Sequence, residues 1–63
     1  MKYFLDFDST DFDLFRLKTC EDHDVVYTGR LTEIVENGDD WQDALDRFFE
    51  KELNIQRNEW EIG

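Results

Sequence analysis

Hydrophobic and polar positions change period twice along this chain, from strand alternation to helical spacing and back. Residues 2–8 alternate, with Tyr3, Leu5 and Phe7 on one face and Lys2, Phe4, Asp6 and Asp8 on the other, which is the period of a strand. Ser9, Thr10 and Asp11 have turn composition. Residues 12–19 are again β-prone, but Leu14 and Phe15 put apolar side chains on both faces, predicting a bulge or burial on both sides. A charged turn at 21–24 leads into a third β run over 25–35, where Gly29 predicts a bulge or bend. The end of that run has a second reading. Leu31, Ile34 and Val35 also fit helical spacing, which makes 32–37 a short helical turn.

Beyond the Asn37-Gly38 turn the period becomes helical. Trp41, Ala44, Leu45, Phe48 and Phe49 follow i, i+3, i+4, i+7, i+8, the spacing of an amphipathic helix. Asp39 or Asp40 supplies its N-cap, and Asn54 is its expected stop just after Leu53. Residues 57–62 alternate once more, with Trp60 and Ile62 inward. The predicted order is β-β-β-α-β. That order describes a small α+β fold, an antiparallel sheet of three to four strands with one amphipathic helix packed on one face. Tyr3, Leu5, Phe7, Tyr27, Trp41, Phe48 and Trp60 are expected to be buried together.

Composition narrows the class. The 63 residues allow one domain spanning 1–63, and ten aromatics give a small core large buried area per residue. Aromatic richness also argues against a disordered acidic tail. A single cysteine, Cys20, excludes an intrachain disulfide and favours a reducing compartment. The N-terminus reaches an acid at Asp6 and carries no apolar run of signal length. A cytoplasmic protein of a bacterial host cell is the expectation.

Charge changes the picture most. Seventeen Asp and Glu face seven Lys and Arg, for a formal net charge of −10. A field of that sign attracts cationic surfaces and repels nucleic acid and anionic membranes. On the predicted helix Asp39, Asp43, Asp46 and Glu50 fall within about 60° of one another, opposite Trp41 and Phe48. They would span roughly 16 Å, about one carboxylate per 5 Å, against one phosphate per about 3.4 Å of a DNA strand. A solvated face with first-turn acids stabilised by the helix dipole explains Asp39, Asp40 and Asp43, but it leaves Asp46 and Glu50 unaccounted for.

A second acidic group is Asp6, Asp8, Asp11 and Asp13. The run Tyr3-Phe4-Leu5-Asp6-Phe7-Asp8-Ser9-Thr10 resembles the first motif of haloacid-dehalogenase-type phosphatases, an apolar strand followed by D-x-D-x-T. The resemblance implies Asp6 as nucleophile and Asp8 as general acid/base. It also implies a doubly wound α/β core and later motifs for which this chain has no room. A Ca²⁺ loop of EF-hand type fails, because the sixth and twelfth positions from Asp6 are Asp11 and Leu17 rather than Gly and Glu. Cys20 and His23 have Cys-x-x-His spacing, but a zinc site needs four ligands. Neighbouring acids push a thiol away from the reactive thiolate. No catalytic residue, cofactor or metal site is expected.

In length, charge and α+β organisation the chain resembles small acidic DNA-mimic proteins, among them phage-encoded anti-CRISPR proteins that block Cascade-type effector complexes. The resemblance is one of class and carries no motif. It implies a non-enzymatic inhibitor bound to a basic nucleic-acid-binding protein, such as a Cas subunit of a type I effector. The candidate contact residues are Asp39, Asp43, Asp46 and Glu50, then Asp6, Asp8, Asp11 and Asp13, then Glu33 and Glu36. A different class, an adaptor or antitoxin-like subunit, would bind through an apolar patch drawn from Phe4, Phe12 and Leu14. In either case self-repulsion among the surplus acids weakens the fold at low ionic strength. Thermal melting followed by circular dichroism is expected to shift upward as salt is added; a melting temperature indifferent to salt would show the charges to be internally balanced.

Overall fold

A computed structural model describes residues 1–63. Three strands come first, β1 (Tyr3–Phe7), β2 (Leu14–Thr19) and β3 (Val25–Arg30). A four-residue helix α1 (Leu31–Ile34), the main helix α2 (Trp41–Leu53), a 3₁₀ turn (Arg57–Glu59) and a last strand β4 (Trp60–Ile62) follow. The sheet order is β3-β2-β1-β4. The fold is therefore the small α+β class expected from the sequence, with one amphipathic helix on the sheet.

The sheet is mixed rather than antiparallel. β1 pairs antiparallel with β2, and β2 with β3, but β4 lies parallel to β1. Chain direction explains this. Three hairpin-linked strands run up, down and up, and a 13-residue helix of about 20 Å carries the chain back down the length of a strand. β4 must then run up. Both edges of β2, the one down-running strand, are already occupied, so β4 can only join an up-running strand, in parallel.

Two details of the predicted strands also change. The third run ends at Arg30 and not at residue 35, and Leu31–Ile34 is helical, so the helical alternative prevails there. The irregularity expected at Gly29 lies instead at Val26, where the β2–β3 register shifts between the Leu17–Tyr27 and Lys18–Val25 pairs. Gly29 has another task. A Cβ on it would sit 2.7 Å from Tyr27 Cε2 and 3.2 Å from Phe15 Cζ, so the missing side chain lets the Tyr27 ring lie over the strand.

Pairing sorts the side chains into two faces. Tyr3, Leu5, Phe7, Phe15, Leu17, Tyr27, Trp60 and Ile62 share the face that meets α2. The core cluster is Leu5, Phe15, Leu17, Leu45, Phe49, Ile55 and Trp60. Of the seven residues expected at its centre, only Leu5 and Trp60 are fully buried, and Tyr3, Phe7, Tyr27, Trp41 and Phe48 form its rim. Phe49 occupies the middle, edge-on to Trp60 at 5.2 Å and to Phe15 at 6.1 Å. Ile62 lies on the expected face, but on an edge strand beyond the helix, and it remains exposed.

Helix α2 begins and ends on its sequence signals. Asp40 is the N-cap, its carboxylate accepting from the Gln42 N–H at 2.9 Å. Asn54 adopts a left-handed conformation (φ 56°), and its N–H and that of Ile55 both donate to the Phe49 carbonyl. That reversal drops Ile55 into the core, a hydrophobic contact that commonly accompanies such an end. No helix is long and apolar enough to cross a membrane.

Truncating the central ring tests this packing. Phe→Ala in a filled core costs about 3–5 kcal/mol, which equals the whole stability of about 3–5 kcal/mol that a core of this size supplies. Phe49→Ala is expected to be unfolded at 25 °C by circular dichroism. Phe12→Ala, at a side chain 73% exposed, is expected to melt like the parent, within about 0.5 kcal/mol. Equal effects would place the core elsewhere.

Candidate functional site

The ten acids singled out by sequence divide sharply once their partners are known. On the outer face of the sheet, Asp6 meets Lys18 at 2.8 Å and Asp8 meets Arg16 at 3.5 Å. These are diagonal cross-strand pairs, since the backbone register sets Asp6 opposite Arg16. Arg30 reaches from the end of β3 to Asp11 at 2.8 Å and Asp13 at 3.6 Å. All four acids of the first group therefore have a cation beside them.

Three of the four also organise backbone. Asp8 Oδ2 accepts from the Thr10 N–H, the Thr10 hydroxyl and the Asp11 N–H, closing the β1–β2 loop. Asp11 Oδ1 accepts from the Asp13 N–H. The Asp13 carboxylate accepts from both the Thr32 N–H and its hydroxyl at 3.0 Å, while the Asp13 carbonyl accepts from the Leu31 N–H. Asp13 thus caps α1 from a loop far away in sequence. These acids serve folding, and the D-x-D-S-T string is a hairpin loop rather than the mouth of a doubly wound sheet. No group of three or more His, Cys, Asp or Glu is placed to hold a metal ion.

Hydrogen bonding leaves its mark on acidity. The Thr10 hydroxyl, above all, holds Asp8 below its ordinary value of 3.8. The Arg30 guanidinium does the same for Asp11 and is itself pushed up. Glu59 falls below 4.5, chiefly through the Gln56 N–H and then through Lys2.

The helix stripe is shorter than the sequence suggests. Asp39 precedes the N-cap, so it lies outside α2, and its carboxylate approaches Arg47 at 3.9 Å. Asp46 stands at the margin of the core face, with Oδ1 buried and without a hydrogen-bond partner. Asp43 and Glu50 are exposed on the outer face, with no ion pair and no side-chain hydrogen bond. Asp43, Asp46 and Glu50 span about 10 Å along the axis, which preserves the spacing of about 5 Å.

Six of the seventeen carboxylates pair with a cation, namely Asp6, Asp8, Asp11, Asp13, Asp39 and Glu59. Eleven do not, and they fall mainly in two regions. Glu33, Glu36, Asp40, Asp43 and Asp46 run through the shoulder where α1 meets the N-terminal half of α2, and Glu50 lies one turn further along the helix. Glu21, Asp22 and Asp24 occupy the β2–β3 turn at the other end of β3. At the shoulder the cation is Arg47, already engaged with Asp39. Lys51 has no carboxylate within ion-pair distance, and Arg57 lies over the Trp60 ring at 4.3 Å while donating to the Trp60 carbonyl.

A feature the helical periodicity assigned wholly to the core sits at the same shoulder. Trp41 is half-buried against Phe7, ring centroids 5.7 Å apart, and its remaining surface joins Leu31 and Val35 in lining a groove of about 330 Å³. Glu36 and Asp39 border that groove. The short helix α1 and its C-cap residue bring Leu31 and Val35 to this place. No protein-family model, curated protein or solved structure matches the chain.

The depressed carboxyls set the direction of acid unfolding. A group with a lowered folded pKa binds its proton more readily in the unfolded chain. Its stabilisation is complete above the ordinary value and disappears as pH falls through the folded one. Asp8, Asp11 and Glu59 therefore predict a melting temperature that drops as pH descends below 4.5 and then 3.8. Thr10→Val is expected to return the Asp8 carboxyl toward 3.8 in a carbon-detected NMR titration and to flatten this acid limb. An unchanged Asp8 titration in that variant would show the hydroxyl contact to be unimportant in solution.

Proposed function

We propose that this protein is a non-enzymatic inhibitor that acts as an anionic mimic of nucleic acid, occupying the cationic DNA-binding surface of a basic partner protein. Within that class it is an anti-CRISPR protein encoded by phage, acting in the bacterial cytoplasm on a Cas subunit of a type I effector complex and preventing target DNA from loading. The observation that carries the reading is the unbalanced shoulder. Glu33, Glu36, Asp40, Asp43 and Asp46 run from α1 into the first half of α2 without an ion-pair partner, and Glu50 continues the set one turn further on, whereas six of the other eleven acids are paired. A rigid, spaced set of charges of this kind gains affinity by releasing the counterions held by both surfaces, and gains speed by electrostatic capture.

The contact set that supports this reading is narrower than the acidic composition. It comprises Asp43, Asp46 and Glu50 of α2, with Glu33 of α1 and Glu36, Asp39 and Asp40 between the helices. Asp6 and Asp8 add to the field only as members of balanced pairs, and Asp11 and Asp13 share Arg30, leaving one surplus charge among the four.

Little favours the apolar alternative. Phe4 and Leu14 do face away from α2, but Phe4 is half-buried, 5.4 Å from the His23 ring and closed over by Gly63. The exposed apolar side chains are dispersed, Phe12 in a loop, Val25 and Val26 on the β3 edge and Ile62 on the opposite edge strand.

Competition with labelled target duplex for a purified type I effector complex tests the reading. Asp43→Lys/Glu50→Lys is expected to weaken inhibition at least about tenfold, near 1.4 kcal/mol in binding free energy, without loss of the far-ultraviolet spectrum. Asp22→Lys/Asp24→Lys, the same charge change at the far turn, is expected to weaken it much less. Inhibition by the parent should fall linearly on a log–log plot against salt. Equal loss in the two double variants would reduce the effect to net charge, and salt-independent inhibition would oppose mimicry.

A further inference from the structure

We infer that the groove between α1 and the start of α2 is a seat for one arginine side chain of the partner, and that this seat is the point of register for the anionic surface around it. The inference rests on the mimic reading and names the chemistry that surface grips most tightly. Three observations carry it. The floor is apolar, formed by Leu31, Val35 and the uncovered part of Trp41. The rim is acidic, with Glu36 and Asp39 on the Asn37-Gly38 turn side. The Asp39 carboxylate already stands 3.9 Å from a guanidinium nitrogen of the protein's own Arg47, an exposed contact that a second guanidinium could replace.

An occupant must satisfy both parts at once. A carboxylate or phosphate is repelled by the rim, and a purely apolar side chain leaves Glu36 without a counter-charge. Arginine and lysine both offer an apolar stem and a cationic head. Arginine fits better, because its guanidinium is planar, more weakly hydrated than an ammonium, favours aromatic neighbours of the kind Trp41 supplies to the groove, and presents several donors in a fixed fork to the carboxylates of the rim. The groove's volume of about 330 Å³ lies at the lower limit of small-ligand pockets, a scale suited to a side chain. The second groove, lined by Met1, Lys2, Tyr3, Thr19, Cys20 and Glu21, has a lysine beside its single acid and so lacks the acidic rim a cation needs.

The consequence is a division of labour. Asp43, Asp46 and Glu50 supply field and approach rate, whereas the Trp41 seat supplies specificity for a surface that presents an arginine.

Two tryptophans make the test direct. In ¹H–¹⁵N spectra the Trp41 indole N–H reports the seat, and that of fully buried Trp60 reports the core. Titration with a hexa-arginine peptide is expected to shift the Trp41 indole and the Asn37 and Gly38 amides in a saturable way, leaving Trp60 still. A hexa-citrulline peptide should give no shift, and hexa-lysine a smaller Trp41 shift with at least about threefold weaker binding. Glu36→Gln/Asp39→Asn is expected to weaken hexa-arginine binding about tenfold. Its unchanged Trp60 resonance would show the fold retained, since the turn's own bond runs between the Asp39 N–H and the Glu36 carbonyl and needs neither side chain. Saturable shifts confined to Asp43, Asp46 and Glu50, with Trp41 unmoved, would overturn the seat while leaving the mimic reading intact. Equal Trp41 shifts with lysine and arginine peptides would overturn the arginine assignment. Absence of saturable binding anywhere would remove the mimic reading as well.

Discussion

Four of the seven cationic side chains, Lys2, Arg16, Lys18 and Arg30, are bound to carboxylates of the sheet and the segments beside it. That allocation governs the electrostatics of the whole molecule. Because the cations lie on β2, at the end of β3 and beside β1, the acids of the β1–β2 hairpin are matched and turned to structural use. Asp8 closes the loop, and Asp13 fastens α1 to it. The same allocation leaves α1 and the N-terminal half of α2 with carboxylates and almost nothing to balance them. Of the net charge of −10, the largest unpaired share thereby lies at this end of the molecule, with a smaller one at the β2–β3 turn.

Holding that charge in place requires a stiff support, and the aromatic core provides it. Phe49 projects from the helix between Phe15 and Trp60, so the face of α2 opposite Asp43 and Glu50 is fixed to the two central strands and to β4. Asp40 and Asn54 set the two ends of the helix, and α1 is pinned by Asp13 from below. The shoulder is therefore built from three independent anchors. Like charges close together raise the free energy of the compact state, and these contacts offset that repulsion.

Much of this was legible in the sequence because it is local. Alternation located β1, helical spacing located α2, and a capping aspartate and an asparagine stop located its ends almost to the residue. What escaped depends on distant partners. Nothing near Leu31 reveals that Asp13, eighteen positions earlier, will cap it, so local spacing left strand and helical turn both open there. The parallel β4 follows from counting chain directions, a global property no local window contains. Ile55 falls outside both periodic runs, and only the left-handed turn at Asn54 carries it inward. The site was half legible for the same reason. Acid positions are visible in the sequence, whereas their neutralisation by cross-strand lysine and arginine depends on register, which removed Asp6, Asp8, Asp11 and Asp13 from the free surface. Asp39 fell off the helix by a single capping residue.

The central claim is that residual negative potential gathers at the α1–α2 shoulder while the outer face of the sheet is balanced. Paired NMR relaxation measurements with a cationic and an anionic paramagnetic cosolute report the potential near each amide. The strongest excess of cation over anion is expected at Glu33, Glu36, Asp40, Asp43 and Glu50, with a much smaller excess along Asp6, Asp8, Arg16 and Lys18. A potential as negative over the sheet as over the shoulder, or most negative over the sheet, would contradict the account.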